Sequence, residues 1–271
     1  MQHSISVSLI ISTYNSPTYL ELVLQSVMAQ ELLPQEVIIA DDGSASDTLV
    51  LVERYQQSFP VPLVHVWHED DGYRLSAIKN KAAAKATGSY IIFLDGDLVL
   101  HPFFIYDYQQ SIRPDEILVA SRVFLNEKYT RQLLQNRFTP VRYNFFKAEK
   151  NHLSGIRLPW LQHVVKGSTT HEGARGGLMG VFRQHFIRVN GFDESFTGWG
   201  REDSDLYVRL LNSGVKRRNI KFAAITYHLW HPVLSRQSLS TNDALLEKSI
   251  ADKSVWCTKG ISQYLPVAAT T

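Results

Sequence analysis

Short apolar runs alternate along this chain with longer segments whose apolar residues recur at helical spacing. Val7 to Ser12 (VSLIIS) is a continuous apolar run of strand length, the pattern of a strand buried on both faces. After Ser16-Pro17, the residues Leu20, Val23, Leu24 and Val27 share one helical face. Val37 to Ala40 predicts a second strand, Asp47 to Tyr55 a helix, and Leu63 to Trp67 a third strand. Ser76 to Ala86 predicts a helix rich in Ala and Lys and closed by Gly88, followed by a strand from Tyr90 to Leu94. Strand and helix in this strict alternation predict an α/β fold, a mostly parallel central sheet flanked by helices with right-handed crossovers.

The pattern is less regular beyond residue 110. From about Ser111 to Gly173 the periodicity weakens, and Phe138, Phe145, Phe146, Trp160 and Leu161 are interspersed with basic residues, which reads as an insertion rather than core. Gly176 to Gly191 predicts a strand and then a short helix carrying Phe186, Ile187 and Val189. A helix is expected from Glu202, with Leu206, Tyr207, Leu210 and Leu211 on one face and Gly214 just past its end. Phe222 to Thr226 is a further apolar run, and Asn242 to Val255 predicts a last helix with Leu245, Leu246 and Ile250 apolar. The expected organisation is a first half over residues 1–110, a second half over 111–232 with a basic insertion at about 122–168, and a helical tail over 233–271.

Composition adds limits. The 271 residues are 44% hydrophobic and 20% charged with a net charge of +2, ordinary for a single large domain or two merged ones. The near-neutral total hides an asymmetry. Arg122, Lys128, Arg131, Arg137, Arg142, Lys147, Lys150, Arg157 and Lys166 are opposed in their stretch only by Glu127 and Glu149. That stretch reads either as a solvated basic region or as an attraction for anionic lipid headgroups or an anionic acceptor, with its aromatics at the interface. Nucleic acid is disfavoured, because no recognised module surrounds the basic residues. Cys257 is the single cysteine, so no intrachain disulfide forms, and a reducing compartment is expected. With no signal-peptide pattern and no apolar run of membrane-spanning length, the expectation is a cytoplasmic protein, at most peripheral at the inner face of the cytoplasmic membrane.

The polar residues that end the strands carry the chemistry. The first strand runs into Thr13-Tyr14-Asn15, the second into Asp41-Asp42-Gly43-Ser44 and the fourth into Asp95-Gly96-Asp97. Open α/β sheets bind ligands at the carboxyl ends of their strands, so three polar endings at one edge describe a crevice. Carboxylates either side of a tight glycine turn can converge on a hard divalent cation that also meets substrate phosphates. The first strand is followed by no Gly-x-Gly-x-x-Gly and the chain has no Walker loop, which disfavours a dinucleotide or P-loop site. Glu202, Asp203 and Asp205 suit a helix start through the helix dipole. That reading leaves Gly198-Trp199-Gly200 unexplained, where Trp199 can offer a flat face to a sugar ring and a neighbouring carboxylate can accept a proton from a hydroxyl. His228 and His231 follow a strand, and one of them, His228 preferred, is expected to join Asp97 on the cation.

In order along residues 7 to 232, these blocks resemble a family 2 glycosyltransferase of the GT-A fold. The blocks are Ile11-Ser12-Thr13-Tyr14-Asn15, Asp41-Asp42-Gly43-Ser44, Gly72-Tyr73-Arg74 with Lys79-Asn80, and Asp95-Gly96-Asp97 as a DxD motif. The second half is similar to the galactosyltransferase-type region of β-1,4-galactosyltransferases and chondroitin polymerases, through Gly176-Gly177, Asn190-Gly191-Phe192-Asp193-Glu194, Gly198-Trp199-Gly200-Arg201-Glu202-Asp203 and His228-Leu229-Trp230-His231-Pro232. The resemblance implies a hexosyltransferase-type enzyme with a nucleotide-sugar donor, a UDP-sugar above others, and an oligosaccharide or lipid-linked glycan acceptor in surface polysaccharide or lipopolysaccharide synthesis.

It also implies roles. Ser12, Tyr14, Asn15, Asp42, Arg74, Asn80, Asp95 and Gly96 would line the nucleotide-sugar site, with Tyr14 and Asp42 on the nucleoside. Asp97 would bind the metal, usually manganese, while Asp95 contacts ribose or metal. Trp199, Glu202 and Gly177 would face the acceptor, and Asp203 would be the base. Arg201 departs from the glycine of the galactosyltransferases, which bears on the acceptor. One base and in-line attack give inversion, although retaining GT-A enzymes share the metal half of such a site. Two rivals are a sugar nucleotidyltransferase, which would need a Gly-rich basic loop in place of Ser12-Thr13-Tyr14-Asn15, and an inactive glycan-binding relative, which would be expected to have lost Asp97 or Asp203.

Overall fold

The computed structural model describes residues 5–136, 145–164, 177–232 and 238–266. Its first half follows the predicted alternation: β1 (Val7–Thr13), α1 (Pro17–Met28), β2 (Glu36–Asp41), α2 (Ser46–Gln56), β3 (Leu63–Trp67), α3 (Leu75–Lys85) and β4 (Tyr90–Asp95). There follow β5 (Leu98–Leu100), α4 (Phe104–Ser111), β6 (Glu116–Ala120), β7 (Arg122–Leu125), α5 (Glu127–Gln135) and β8 (Ala148–Lys150). The remainder comprises β9 (Leu178–Phe182), α6 (Arg183–Arg188), α7 (Glu202–Asn212), β10 (Lys216–Ile220), β11 (Thr226–His228) and α8 (Leu239–Ala251).

Seven strands form the main sheet in the order β10-β6-β9-β4-β1-β2-β3. β1 is parallel to β2 and β4, β2 to β3, and β6 to β10, while β9 runs antiparallel between β4 and β6. The mostly parallel sheet is therefore as expected, with one reversed strand inside it. Leu9 and Ile11 on one face of β1 and Ile10 on the other are all buried, in separate apolar clusters that include α1 and α3 respectively. Burial on both faces is why this strand reads as an unbroken apolar run rather than an alternating one.

The region read as an insertion is partly core. β6 supplies the buried residues Ile117, Leu118, Val119 and Ala120, and Val123, Leu125 and Leu133 are buried as well. The prediction failed here because the strands are short and bounded by charged residues that the fold pairs internally. β10 was also missed. Its sequence KRRNI buries Arg217 and Arg218, and Arg218 is paired with Glu116 at 2.6 Å and with the Ser111 carbonyl. Only Thr226 of the predicted run from Phe222 to Thr226 falls in a strand. The last helix begins at Leu239 and ends at Ala251, and its most buried residue is Asn242 rather than Leu245, Leu246 or Ile250. Phe138, Arg137, Arg142, Lys166 and Gly176 lie outside the described residues.

A second, four-stranded sheet in the order β5-β11-β7-β8 matters most for the site. β5 leaves the main sheet immediately after Asp95-Gly96-Asp97 and pairs antiparallel with β11, setting Leu98 opposite His228. The Leu229 amide donates to the Asp97 carbonyl at 2.9 Å. Pairing of these two short strands brings the two ends of a sequence separation of more than 120 residues into one place.

Candidate active site

β1, β2 and β4 are parallel neighbours, so their carboxyl ends share an edge. Gly96 has to be small there, because a Cβ on it would lie 2.5 Å from the Ser12 carbonyl oxygen. The Ser12 hydroxyl donates to Asp95 at 3.3 Å. Asp42 is buried, with one oxygen on His68 Nε2 at 2.7 Å and the other accepting the Arg74 backbone N–H at 2.9 Å. Burial raises its carboxyl against the lowering effect of His68. The Arg74 guanidinium donates to the Glu69 carbonyl and lies 3.6 Å from Asp71. Tyr14 is 48% exposed and its hydroxyl donates to Asp70 at 2.9 Å, which leaves the ring at the crevice mouth.

Two residues of the expected nucleotide set are engaged within the fold. Asn15 stands at φ +44° and joins the ends of β1 and β2, its N–H donating to Ser44 Oγ and its side-chain oxygen accepting from Ala45, each at 2.8 Å. Asn80 is fully buried. Its amide donates to the Phe192 carbonyl and to Glu194 at 2.8 and 2.9 Å and accepts the Phe192 N–H at 2.9 Å. Asn80 thus anchors α3 to the segment before α7 and does not line the crevice, since every polar group of its side chain has an internal partner.

Asp97 meets both histidines. His231 Nε2 lies 3.0 Å and His228 Nε2 3.5 Å from Asp97 Oδ2, and one ligand atom from each of the three residues falls within 4.8 Å of the others. His228 stacks between Phe124, at 4.7 Å between ring centroids, and His231, at 5.1 Å. Burial lowers the pKa of His228, while the hydrogen bond to Asp97 raises that of His231. Asp97 itself is lowered, the histidines outweighing burial. Its Oδ1 is buried and has no hydrogen-bond partner among the described residues. A carboxylate with an unpartnered oxygen beside two imidazoles is a donor set that suits a divalent cation. Asp95 does not belong to this group. It packs instead against Gly177, where a Cβ would collide with its Oδ2, and near the Arg122 guanidinium, so the expected Asp95 ligand is replaced in this cluster by the second histidine.

Across the crevice stand Glu202 and Asp203, in the first turn of α7. The loop before them is conformationally unusual: Gly198, Gly200 and Arg201 all have positive φ, at 71°, 102° and 80°. Trp199 sits in that loop with 36% of its surface exposed. The left-handed backbone at 201 is the physical reason a glycine would be favoured there. Arg201 is held by Asp243 of α8 at 2.5 Å. Asn242 of the same helix donates to the Gly200 and Thr197 carbonyls at 2.8 and 3.2 Å.

The three acidic residues of α7 divide their roles. Asp205 is fully buried and paired with Arg209 at 2.6 Å and with Ser249. Glu202 Oε2 and Asp203 Oδ1 are buried and have no hydrogen-bond partner among the described residues. Burial, reinforced by Asp203, pushes the Glu202 carboxyl up to about 7. Three neighbours named in the sequence analysis without a role at the site stand beside its carboxylates. Lys79 is 2% exposed with Nζ 3.7 Å from Asp203 Oδ1. Tyr73 is raised by burial and by Glu202, Asp95 and Asp203. Arg122 acts on both Asp95 and Asp97. The signal for Lys79 was available, because it lies four residues after Leu75 and four before Ala83, on the helix face that also carries the buried Ile78 and Ala82.

A parallel sheet with one reversed strand, a small second sheet and an acidic crevice at their junction define a GT-A fold. The chain belongs to glycosyl transferase family 2: the pattern of "Glycosyl transferase family 2" matches residues 8–164, and that of "N-terminal domain of galactosyltransferase" matches 164–232. It is similar to chondroitin synthase of Escherichia coli, 27% identical over 237 residues, covering 82% of this chain and 34% of that protein. It is also similar to validoxylamine A glucosyltransferase of Streptomyces hygroscopicus subsp. limoneus, 28% identical over 231 residues, with 77% and 48% covered. The chain therefore spans a third to a half of the length of these curated relatives. Among solved structures, S. aureus TarS 1-349 in complex with UDP matches with a TM-score of 0.63 at 17% identity, covering 96% of this chain and 68% of that one. Mannosyltransferase PcManGT from Pyrobaculum calidifontis, in complex with GDP-Man and Mn2+, matches with a TM-score of 0.59 at 17% identity, covering 94% and 65%.

Proposed function

We propose that the chain moves a sugar from a nucleotide diphosphate, UDP-linked, to a hydroxyl of a glycan acceptor, with inversion at the anomeric carbon. The observation that carries this reading is a set of buried carboxylate oxygens without a hydrogen-bond partner among the described residues, Asp97 Oδ1 after β4 and Glu202 Oε2 and Asp203 Oδ1 at the start of α7. Buried acceptors without partners are rare in folded proteins and mark groups that meet something else. Asp97 with His228 and His231 would hold manganese or magnesium. A divalent cation bound there would neutralise the charge developing on the diphosphate leaving group.

The chain's own residues supply the remaining elements. Tyr14, Asp42 and Arg74 line the nucleoside end, and Ser12, Asp95 and Gly96 the sugar-phosphate end. Asp203 takes the proton of the attacking hydroxyl, while Trp199, Glu202 and Gly177 shape the acceptor side. A carboxylate on the wall opposite the diphosphate favours in-line attack, hence inversion. The UDP assignment is supported by TarS, with its UDP complex, and an assignment to polysaccharide synthesis by relatives named chondroitin synthase and hyaluronan synthase. The basic residues from Arg122 onward favour an anionic or lipid-linked acceptor.

Thermal-shift titration with UDP, GDP and CMP, each with manganese and again with chelator, tests the donor site, because a ligand that binds only the native state raises its stability. Stabilisation by UDP that requires manganese is expected, and stabilisation by GDP instead would change the donor. With the donor fixed, Asp97→Ala should abolish metal-dependent binding. Asp203→Asn should retain that binding and lower transfer by about a hundredfold or more, and near-normal transfer in Asp203→Asn would remove the base assignment.

A further inference from the structure

Lys79 is the one lysine buried among the described residues. Its Nζ lies over the face of Phe192 at 5.1 Å from the centroid and 3.7 Å from Asp203 Oδ1. Burial on its own would strip the proton from such an ammonium, but Asp203, Asp95 and Glu202 outweigh that effect and raise its pKa. These carboxylates come from two elements, β4 and α7, that approach only in the folded chain. Like charges so disposed repel strongly where water is excluded, and Lys79 is a cation that acts on all of them.

The distance is informative. At 3.7 Å, beyond ordinary hydrogen-bond length, the ammonium compensates Asp203 mainly by charge, with a hydrogen bond as the lesser contribution, so Oδ1 can still receive a proton. The next residue explains why the ammonium stays there. Asn80 makes three hydrogen bonds to Phe192 and Glu194, fixing α3 against the segment that leads to α7. The Lys79-Asn80 pair therefore acts as a unit, the asparagine setting the position and the lysine supplying the charge.

We infer that Lys79 is a positioning residue for the proton-accepting carboxylate, holding Asp203 in the crevice by buried charge across the boundary between the two halves of the fold. This rests on Asp203 being the base. Lys79→Met is expected to lower kcat about a hundredfold, to leave the acceptor KM within about threefold, and to retain manganese-dependent stabilisation by UDP. Lys79→Arg, which keeps the charge on a bulkier head, is expected to recover at least roughly tenfold of that loss. In thermal unfolding, Lys79→Met/Asp203→Asn should be more stable than Lys79→Met alone, because the second change removes the charge left unpaired.

A kcat in Lys79→Met within about threefold of wild type would overturn the inference. So would loss of UDP binding in parallel with transfer, or strictly additive destabilisation in the double variant. If Lys79→Met does not fold, recovery of folding by Asp203→Asn supports the pairing and lack of recovery overturns it. Failure of the underlying reading is separate, since it appears as near-normal transfer in Asp203→Asn with Lys79 intact.

Discussion

Glu202 stands in the first turn of α7 next to Asp203, and burial together with that neighbouring carboxylate displaces its titration to about 7 from an ordinary 4.5. A carboxyl raised in the folded state binds its proton more tightly folded than unfolded. Its contribution to stability is thus complete below about pH 4.5 and lost as pH rises through about 7. Glu202→Gln is expected to flatten the dependence of Tm on pH across that window, and parallel profiles for the two proteins would contradict the assigned environment. Arg201 makes a second prediction at this scale. Both Arg201→Gly and Arg201→Ala lose the half-exposed pair with Asp243, worth at most about 1 kcal/mol. Only the alanine keeps a Cβ at φ +80°, which costs roughly 1–2 kcal/mol. The glycine variant should therefore unfold at the higher temperature, the reverse of the usual ranking of these residues.

Among the elements, the short pairing of β5 with β11 does the most to shape the site, because it sets Asp97 beside His228. The loop that continues to His231 is pinned on both sides of Trp230. Its carbonyl accepts the Tyr19 hydroxyl from α1 at 3.0 Å, and its N–H donates to Thr130 Oγ1 from α5 at 2.9 Å. Thr130 is buried, so Thr130→Val would leave the Trp230 N–H unpaired at about 1–3 kcal/mol. Lower Tm together with weaker manganese-dependent stabilisation by UDP is expected, and a fall in Tm with undiminished metal dependence would mean that α5 does not govern His231. The α8 helix acts on the other wall through Asn242. Asn242→Ala should raise the acceptor KM and leave UDP binding unchanged, a separation visible in steady-state kinetics.

For the whole molecule, charge is unevenly placed. Nine basic residues stand against two acidic ones between Arg122 and Lys166 in a chain of net charge +2. Leu153 and Trp160 of that stretch are 70% and 66% exposed, and no helix among the described residues is long and apolar enough to cross a membrane. Peripheral contact with an anionic surface is the behaviour this favours. Sedimentation with vesicles containing anionic lipid should bring the protein down at low salt and release it at high salt, whereas equal binding to neutral vesicles would count against an electrostatic origin.

Much of the fold was legible because its cause is local. Strands β1, β2 and β4 are apolar runs buried on both faces, and their polar endings marked the crevice, since a parallel sheet puts those ends at one edge. The sequence by itself determined the alternating α/β architecture, the acidic motifs and the family they resemble. The tertiary structure decided what depends on pairing between distant segments: that KRRNI is a buried strand, that Asn80 is a fastener rather than a ligand, and that both histidines face Asp97. It also decided that Lys79 stands beside Asp203. Arg218, Lys79 and Asp97 are charged side chains whose compensating groups lie on distant segments, so although periodicity puts Lys79 on a buried helix face, it names no partner.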